Sequence, residues 1–157
     1  MDLPQANKTV REFLTGKPHG VISVGPDDTV LHALKVMAEK DIGAVLVMRG
    51  EAVVGILSER DYVRKVDLKG KAAASTPVRE IMTEKIVFAT PADTIMRCMA
   101  LMKHGRIRHL PVIDGAKAVG VLSARDVMEE VIHEEEAVLT ELQQERIFFA
   151  GNTGGSY

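Results

Sequence analysis

Gly55-Ile56-Leu57-Ser58-Glu59-Arg60-Asp61 returns 65 residues later as Gly120-Val121-Leu122-Ser123-Ala124-Arg125-Asp126. The same offset holds without a gap from Val21–Val66 to Ile86–Val131. Pro26, Asp28, Thr29, Met37, Ile42, Val47, Gly50, Val54 and Gly55 each meet an identical residue at that offset. One unit of roughly 60 residues is therefore used twice, and a unit that small buries little surface alone. Two such halves packed face to face are expected to share a core and to form two similar clefts about a pseudo-twofold axis. The polar residues common to both copies place the function in those clefts.

The pattern within each copy is strand, helix, strand, strand, helix. Val21–Val24 and Ile86–Ala89 read as first strands. Pro26-Asp27-Asp28-Thr29 and Pro91-Ala92-Asp93-Thr94 are turn-and-cap signals ahead of a helix. Val30, Leu31, Leu34, Met37 and Ala38 fall on one helical face, as do Ile95, Met96, Met99 and Met102 in the second copy. Ala44–Met48 and His109–Ile113 read as second strands. Arg49-Gly50 and Asp114-Gly115 then turn the chain into third strands ending at Leu57 and Leu122. The first two strands of a copy should be parallel with a right-handed crossover, and the last two a hairpin. The fold class is α/β (α+β): two βαββα repeats flanked by N- and C-terminal helices.

Thr9-Val10-Arg11-Glu12 reads as a capping box opening a short helix, with Phe13 and Leu14 inward. Val78-Arg79-Glu80-Ile81-Met82 echoes it at offset 68 rather than 65. The difference lies in the following loop, Thr15–Gly20 against Thr83–Lys85, and loops absorb such changes. We place the first repeat at 9–68, a polar linker at 69–76, the second repeat at 77–132, a helical extension at 133–150 and a loose tail at 151–157. The extension continues the pattern as a helix over Ile132–Arg146, with Ile132, Leu139 and Leu142 on one side.

Composition narrows the function. The chain has 157 residues and a formal net charge of −2, with no Trp. No basic stripe with interleaved aromatics is present, which argues against nucleic acid as a partner. Apolar runs such as Ala44–Met48 are too short to span a bilayer, and the start Met1-Asp2-Leu3-Pro4-Gln5 lacks the marks of a secretory signal. Cys98 is the only cysteine and falls in a helical apolar stripe, as expected of a small buried hydrophobe. A cytoplasmic location is expected. His19, His32, His104, His109 and His133 do not have metal-ligand spacing, so no metal is expected. Ser58 and Ser123 have no His placed to act as a base, so catalysis is not expected either.

In each copy a strand delivers a Ser and, three residues on, an Asp at the head of a helix. A Ser-x-x-Asp segment can be no more than a capping box. The same corner also offers a hydroxyl and free N–H groups for phosphate, an Arg for charge, and an acid that can accept from a ribose diol. Gly55 and Gly120 would let a backbone come close.

The Gly-h-x-Ser-x-Arg-Asp segments, Ile107–Ile113 and Pro-x-Asp-Thr before the long helix resemble a tandem pair of cystathionine-β-synthase (CBS) domains, a Bateman module. The resemblance covers about Val10 to Val131. It implies clefts that bind AMP, ADP, ATP, NAD(H) or S-adenosylmethionine. It places Asp61 and Asp126 on ribose hydroxyls, Ser58 and Ser123 on ribose or phosphate, and Arg60 and Arg125 toward phosphate. Ile56 and Val121 would lie against sugar and base. Gly43, Ala44, Arg108 and His109, where the second strands begin, would line the base or phosphate region. Thr83 and Lys85, and the longer loop with Lys17 and His19, would close the clefts. The first copy lacks the cationic side chains of Arg108-His109 and the proline of Leu110-Pro111, which leaves the clefts unequal.

The resemblance thus implies a non-catalytic regulatory sensor, homodimeric through the outer faces of Glu59–Val66, Arg125–Ile132 and the C-terminal helix. It would signal to an effector protein in trans. The alternatives are an interaction module with unoccupied clefts and a trans-acting regulator of an enzyme such as IMP dehydrogenase.

Overall fold

Thr29 and Thr94 set the two long helices in matching frames. Each side-chain oxygen accepts from the N–H three residues on, His32 at 3.1 Å and Arg97 at 3.1 Å. A computed structural model describes residues 8–16 and 20–152 and carries these helices as α2 (Val30–Lys40) and α4 (Ile95–Gly105). Both end on a left-handed residue, Asp41 and Arg106, each at φ 53°. The buried stripes are Val30, Ala33 and Met37 in α2, and Ile95, Cys98 and Met102 in α4. Ala38 and Met96, expected inward, face out, because the i, i+3, i+7 positions take the core.

In the first repeat β1 (Ser23–Val24) runs parallel to β2 (Ala44–Arg49), which forms an antiparallel hairpin with β3 (Ala52–Ser58). The second repeat has the equivalent hairpin of β4 (His109–Asp114) and β5 (Lys117–Ser123). Both hairpins carry a register shift at the same place, Val47/Met48 and Val112/Ile113. Both turn on a glycine at φ 62°, Gly50 and Gly115.

The first strand expected over Ile86–Ala89 is reduced to a single parallel bridge between Ala89 and Val112. In the first repeat Leu46 donates its N–H to the Ile22 carbonyl. Pro111 stands at the matching place and has no N–H to donate, so the ladder starts later.

The repeats do not share one core. One cluster gathers Val24, Val30, Met37, Val47 and Leu57, and a second gathers Ile95, Cys98, Leu110, Val112 and Leu122. They are tied by exchange. Helix α1 (Val10–Thr15) precedes the first repeat yet packs Val10 and Phe13 into the second cluster. Its backbone bonds there too, Val10 N–H to Asp93 O at 2.8 Å. Val78 and Ile81, which follow the linker, pack into the first cluster, with Val78 N–H bonded to Asp28 O at 2.8 Å. The segments related by the 68-residue offset thus cross over in matching ways.

The helices after the Ser-x-x-Asp corners differ. Helix α3 (Glu59–Tyr62) passes into a wide π turn over Val63–Asp67, and the chain then breaks at Gly70, at φ 67°. In the second repeat α5 (Ala124–Asn152) is one helix of 29 residues, with no break near Ile132 and with Gly151 and Asn152 inside it. No Gly or Pro occurs from 124 to 150 to end it. No helix among the described residues is long and apolar enough to cross a membrane.

Candidate functional site

Two clefts lie between the repeats, with cavity volumes of about 260 Å³ and 650 Å³. Cleft one, the smaller, takes Gly43, Ile56, Ser58, Arg60 and Asp61 from the first repeat and Thr83, Lys85, Arg108 and His109 from beyond the linker. Cleft two takes Val121, Ser123, Arg125 and Asp126 from the second repeat, with Gly43, Ala44 and again His109. Lys17 and His19 lie outside the described residues. All the other residues proposed from sequence line one cleft or both.

The corner of cleft one is a reciprocal capping box. Ser58 Oγ accepts from Asp61 N–H at 3.2 Å, and Asp61 Oδ2 accepts from Ser58 N–H at 3.0 Å and from its hydroxyl at 3.1 Å. Asp61 Oδ1 faces Lys65 Nζ at 3.0 Å, and Lys65 also donates to the Ile81 carbonyl. The corner of cleft two repeats the box: Asp126 N–H to Ser123 Oγ at 3.0 Å and Ser123 N–H to Asp126 Oδ2 at 3.0 Å. The residue four on from Asp126 is Glu130, not a lysine, and it pairs with Lys8 at 2.8 Å.

What approaches Gly55 is protein. A Cβ there would stand 2.7 Å from Met82 Sδ and 3.1 Å from the Thr83 carbonyl oxygen. Thr83 is bonded to the β3 edge in both directions, its N–H to Ile56 O at 2.9 Å and Ile56 N–H to its own O at 3.0 Å. Gly120 makes the same room for Leu14, 3.2 Å from an added Cβ. The glycines therefore admit the exchanged segments, and Gly55 in doing so fixes Thr83 at the cleft-one wall.

His109 stands between the clefts. Its imidazole lies over Gly43, where an added Cβ would be 3.2 Å from Nε2. Burial lowers its pKa below the ordinary 6.5, against an opposing pull from Glu59. Cys98 is buried in the second core, and desolvation, then Asp93, pushes its thiol up to about 11. Among the described residues no three His, Cys, Asp or Glu side chains gather to hold a metal.

Sequence reading missed the corners where α2 and α4 turn into strands. Asp41 lines cleft two and Arg106 lines cleft one. Their equivalence under the 65-residue offset was the available signal. Lys40, Glu59 and Glu129 also line the clefts and were not anticipated.

The family model for the CBS domain matches residues 10–67 and 78–133. The chain belongs to the CBS-domain family. This CBS pair is 43% identical over 121 residues to the mitochondrial CBS domain-containing protein CBSX3 of Arabidopsis thaliana, covering 74% of this chain and 59% of that protein. A solved CBS-domain protein from Burkholderia ambifaria MC40-6 superposes with a TM-score of 0.77 at 44% identity, over 80% of this chain and 95% of that one. The CBS domain protein PAE2072 from Pyrobaculum aerophilum, solved with AMP, shares the fold with a TM-score of 0.68 at 21% identity, over 76% of this chain and 89% of that one. Tandem CBS domains are regulatory modules, and this pair is one by membership.

Proposed function

We propose that this CBS pair is a non-catalytic sensor of adenine nucleotides, taking AMP, ADP, ATP or NAD(H) in the clefts between its repeats. One observation carries the reading. A Ser-x-x-Asp-centred corner with an arginine inside it occurs twice, and each faces a wall supplied by the other repeat. Asp61 and Asp126 would take the ribose diol, Ser58 and Ser123 ribose or phosphate, and Arg60 and Arg125 phosphate. Gly43, Ile56 and Val121 would lie against sugar or base. The AMP bound by the Pyrobaculum relative supports the ligand class. A ligand bridging the two repeats biases how they pack, and so what a partner meets.

The partner is proposed to be an effector protein acting in trans, and the pair itself a homodimer. Val63, Met128, Ile132, Leu139 and Leu142 are exposed along the outer helices and supply an apolar face for pairing.

A second reading is favoured by the hydrogen bonds: both corners are already closed by their own Ser and Asp, as a purely structural interaction module requires. Thermal shift and calorimetry with AMP, ATP, NADH and S-adenosylmethionine separate the two. A specific ligand at a hundredfold excess over its Kd adds about 2.7 kcal/mol of stability. No shift with any of the four selects the interaction module.

A further inference from the structure

The two clefts share one architecture and differ in charge. The wall facing each Ser-x-x-Asp corner is the helix-to-strand corner of the other repeat. In cleft one it reads Arg106-Ile107-Arg108-His109, and in cleft two the equivalent stretch is Asp41-Ile42-Gly43-Ala44. Arg106 and Asp41 occupy the same left-handed cap, so the backbone is held and only the charge is reversed. Lys85 adds a further cation to cleft one.

Ion pairing widens the contrast. Among the described residues Arg60, Lys85, Arg106 and Arg108 make no ion pair. The acids beside them are Glu59 and Asp61, and Asp61 is engaged by Lys65. In cleft two Arg125 pairs with Glu129 at 3.1 Å, Asp126 is engaged within its own corner, and Lys40 stands beside Asp41. Four unpaired cations around one cavity repel one another, and a polyanion between them turns that repulsion into attraction. Among the described residues of cleft two, Lys40 and Arg125 are matched by Asp41, Asp126 and Glu129, so its lining has no comparable excess of cations.

We propose that cleft one binds the polyphosphate of a nucleoside di- or triphosphate, and that cleft two takes at most a nucleoside monophosphate. The nucleoside part rests on the function proposed above; the polyphosphate part rests on the charge of the wall. Binding of a polyphosphate there draws Arg60 of one repeat toward Arg106 and Arg108 of the other, so the anion itself joins the repeats.

The experiment is calorimetry on the full chain with ATP, AMP and inorganic tripolyphosphate, at low and high salt. Arg106→Asp with Arg108→Gly gives cleft one the cleft-two residues at the two arginine positions of its wall, with an Asp at the left-handed cap as in the first repeat. The native chain should bind ATP about tenfold or more tighter than AMP, with a preference that shrinks in salt. The double variant should lose about tenfold in ATP and in tripolyphosphate affinity while AMP affinity changes little. Should that variant not fold, Arg108→Gln and the reciprocal Asp41→Arg serve: the first weakens ATP binding, the second adds a second ATP. Equal native affinity for ATP and AMP, or ATP binding untouched by these changes, overturns the proposal. If tripolyphosphate binds through Arg106 and Arg108 but no adenine ligand binds, the wall assignment stands and the adenine reading falls. If neither binds, the wall assignment falls with it.

Discussion

His109 lies over Gly43 so closely that a Cβ on Gly43 would stand 3.2 Å from its Nε2, and the two residues line both clefts. This contact joins the start of β4 to the residue just before β2. It gives the protein one point through which the two cavities share a wall.

A pH effect follows from it. Burial holds the pKa of His109 below 6.5, so between those values the unfolded chain takes up a proton that the folded one refuses. Stability from this group is fully present at neutral pH and is lost as pH falls below about 6.5 toward the folded pKa. Denaturant titrations of the native chain and of His109→Gln should show a smaller loss on acidification for the variant. Parallel curves would remove His109 as the source.

At the alkaline end Cys98 acts in the opposite sense. Its thiol stays protonated to about 11 in the folded chain against an ordinary 9.0. The unfolded chain therefore releases its proton first, and stability declines as pH rises from 9 toward 11. Cys98→Ala should flatten that limb. The same burial predicts slow alkylation by iodoacetamide under native conditions and fast alkylation in denaturant.

Gly55→Ala should cost about 1–3 kcal/mol, because the new methyl meets Met82 and the Thr83 carbonyl at 2.7 and 3.1 Å. The paired bonds between Ile56 and Thr83 must then lengthen. Hydrogen exchange at the Thr83 and Ile56 amides should quicken beyond what the global loss explains. Unchanged exchange would mean that Met82 alone gives way.

The corners carry two separable roles. Ser58→Ala removes a cap and should cost about 0.5–2 kcal/mol without any ligand present. Asp61→Ala should weaken ligand binding at cleft one, and Asp126→Ala at cleft two, each by about 1–3 kcal/mol for lost charged hydrogen bonds. Calorimetric stoichiometry distinguishes the clefts. If both variants bind as the native chain does, the carboxylates serve the fold alone.

Much of this was legible because it is local. Thr29 and Thr94 cap their helices through atoms three residues away, and Ser58 and Asp61 close a box within one turn. Gly50 and Gly115 turn their hairpins by their own conformational freedom. The shortened first strand of the second repeat was also written in the sequence, as Pro111, but its effect needed the pairing of Ala89 beside this strand to be known.

The exchange of α1 for Val78–Met82 was not legible. Both segments are short and apolar on one side, and either core offers a seat; their order along the chain suggests the nearer one. The backbone bonds to Asp93 and Asp28 settle the crossed arrangement.

From the amino-acid order alone came the duplication, the element types and the pair of acid-and-hydroxyl corners, since periodicity and capping act over a few residues. Only the tertiary structure decided that Arg106 and Arg108 face Asp61 while Asp41 and Gly43 face Asp126. That pairing joins residues distant in sequence, and the charge of each cleft is set by how two separate cores dock.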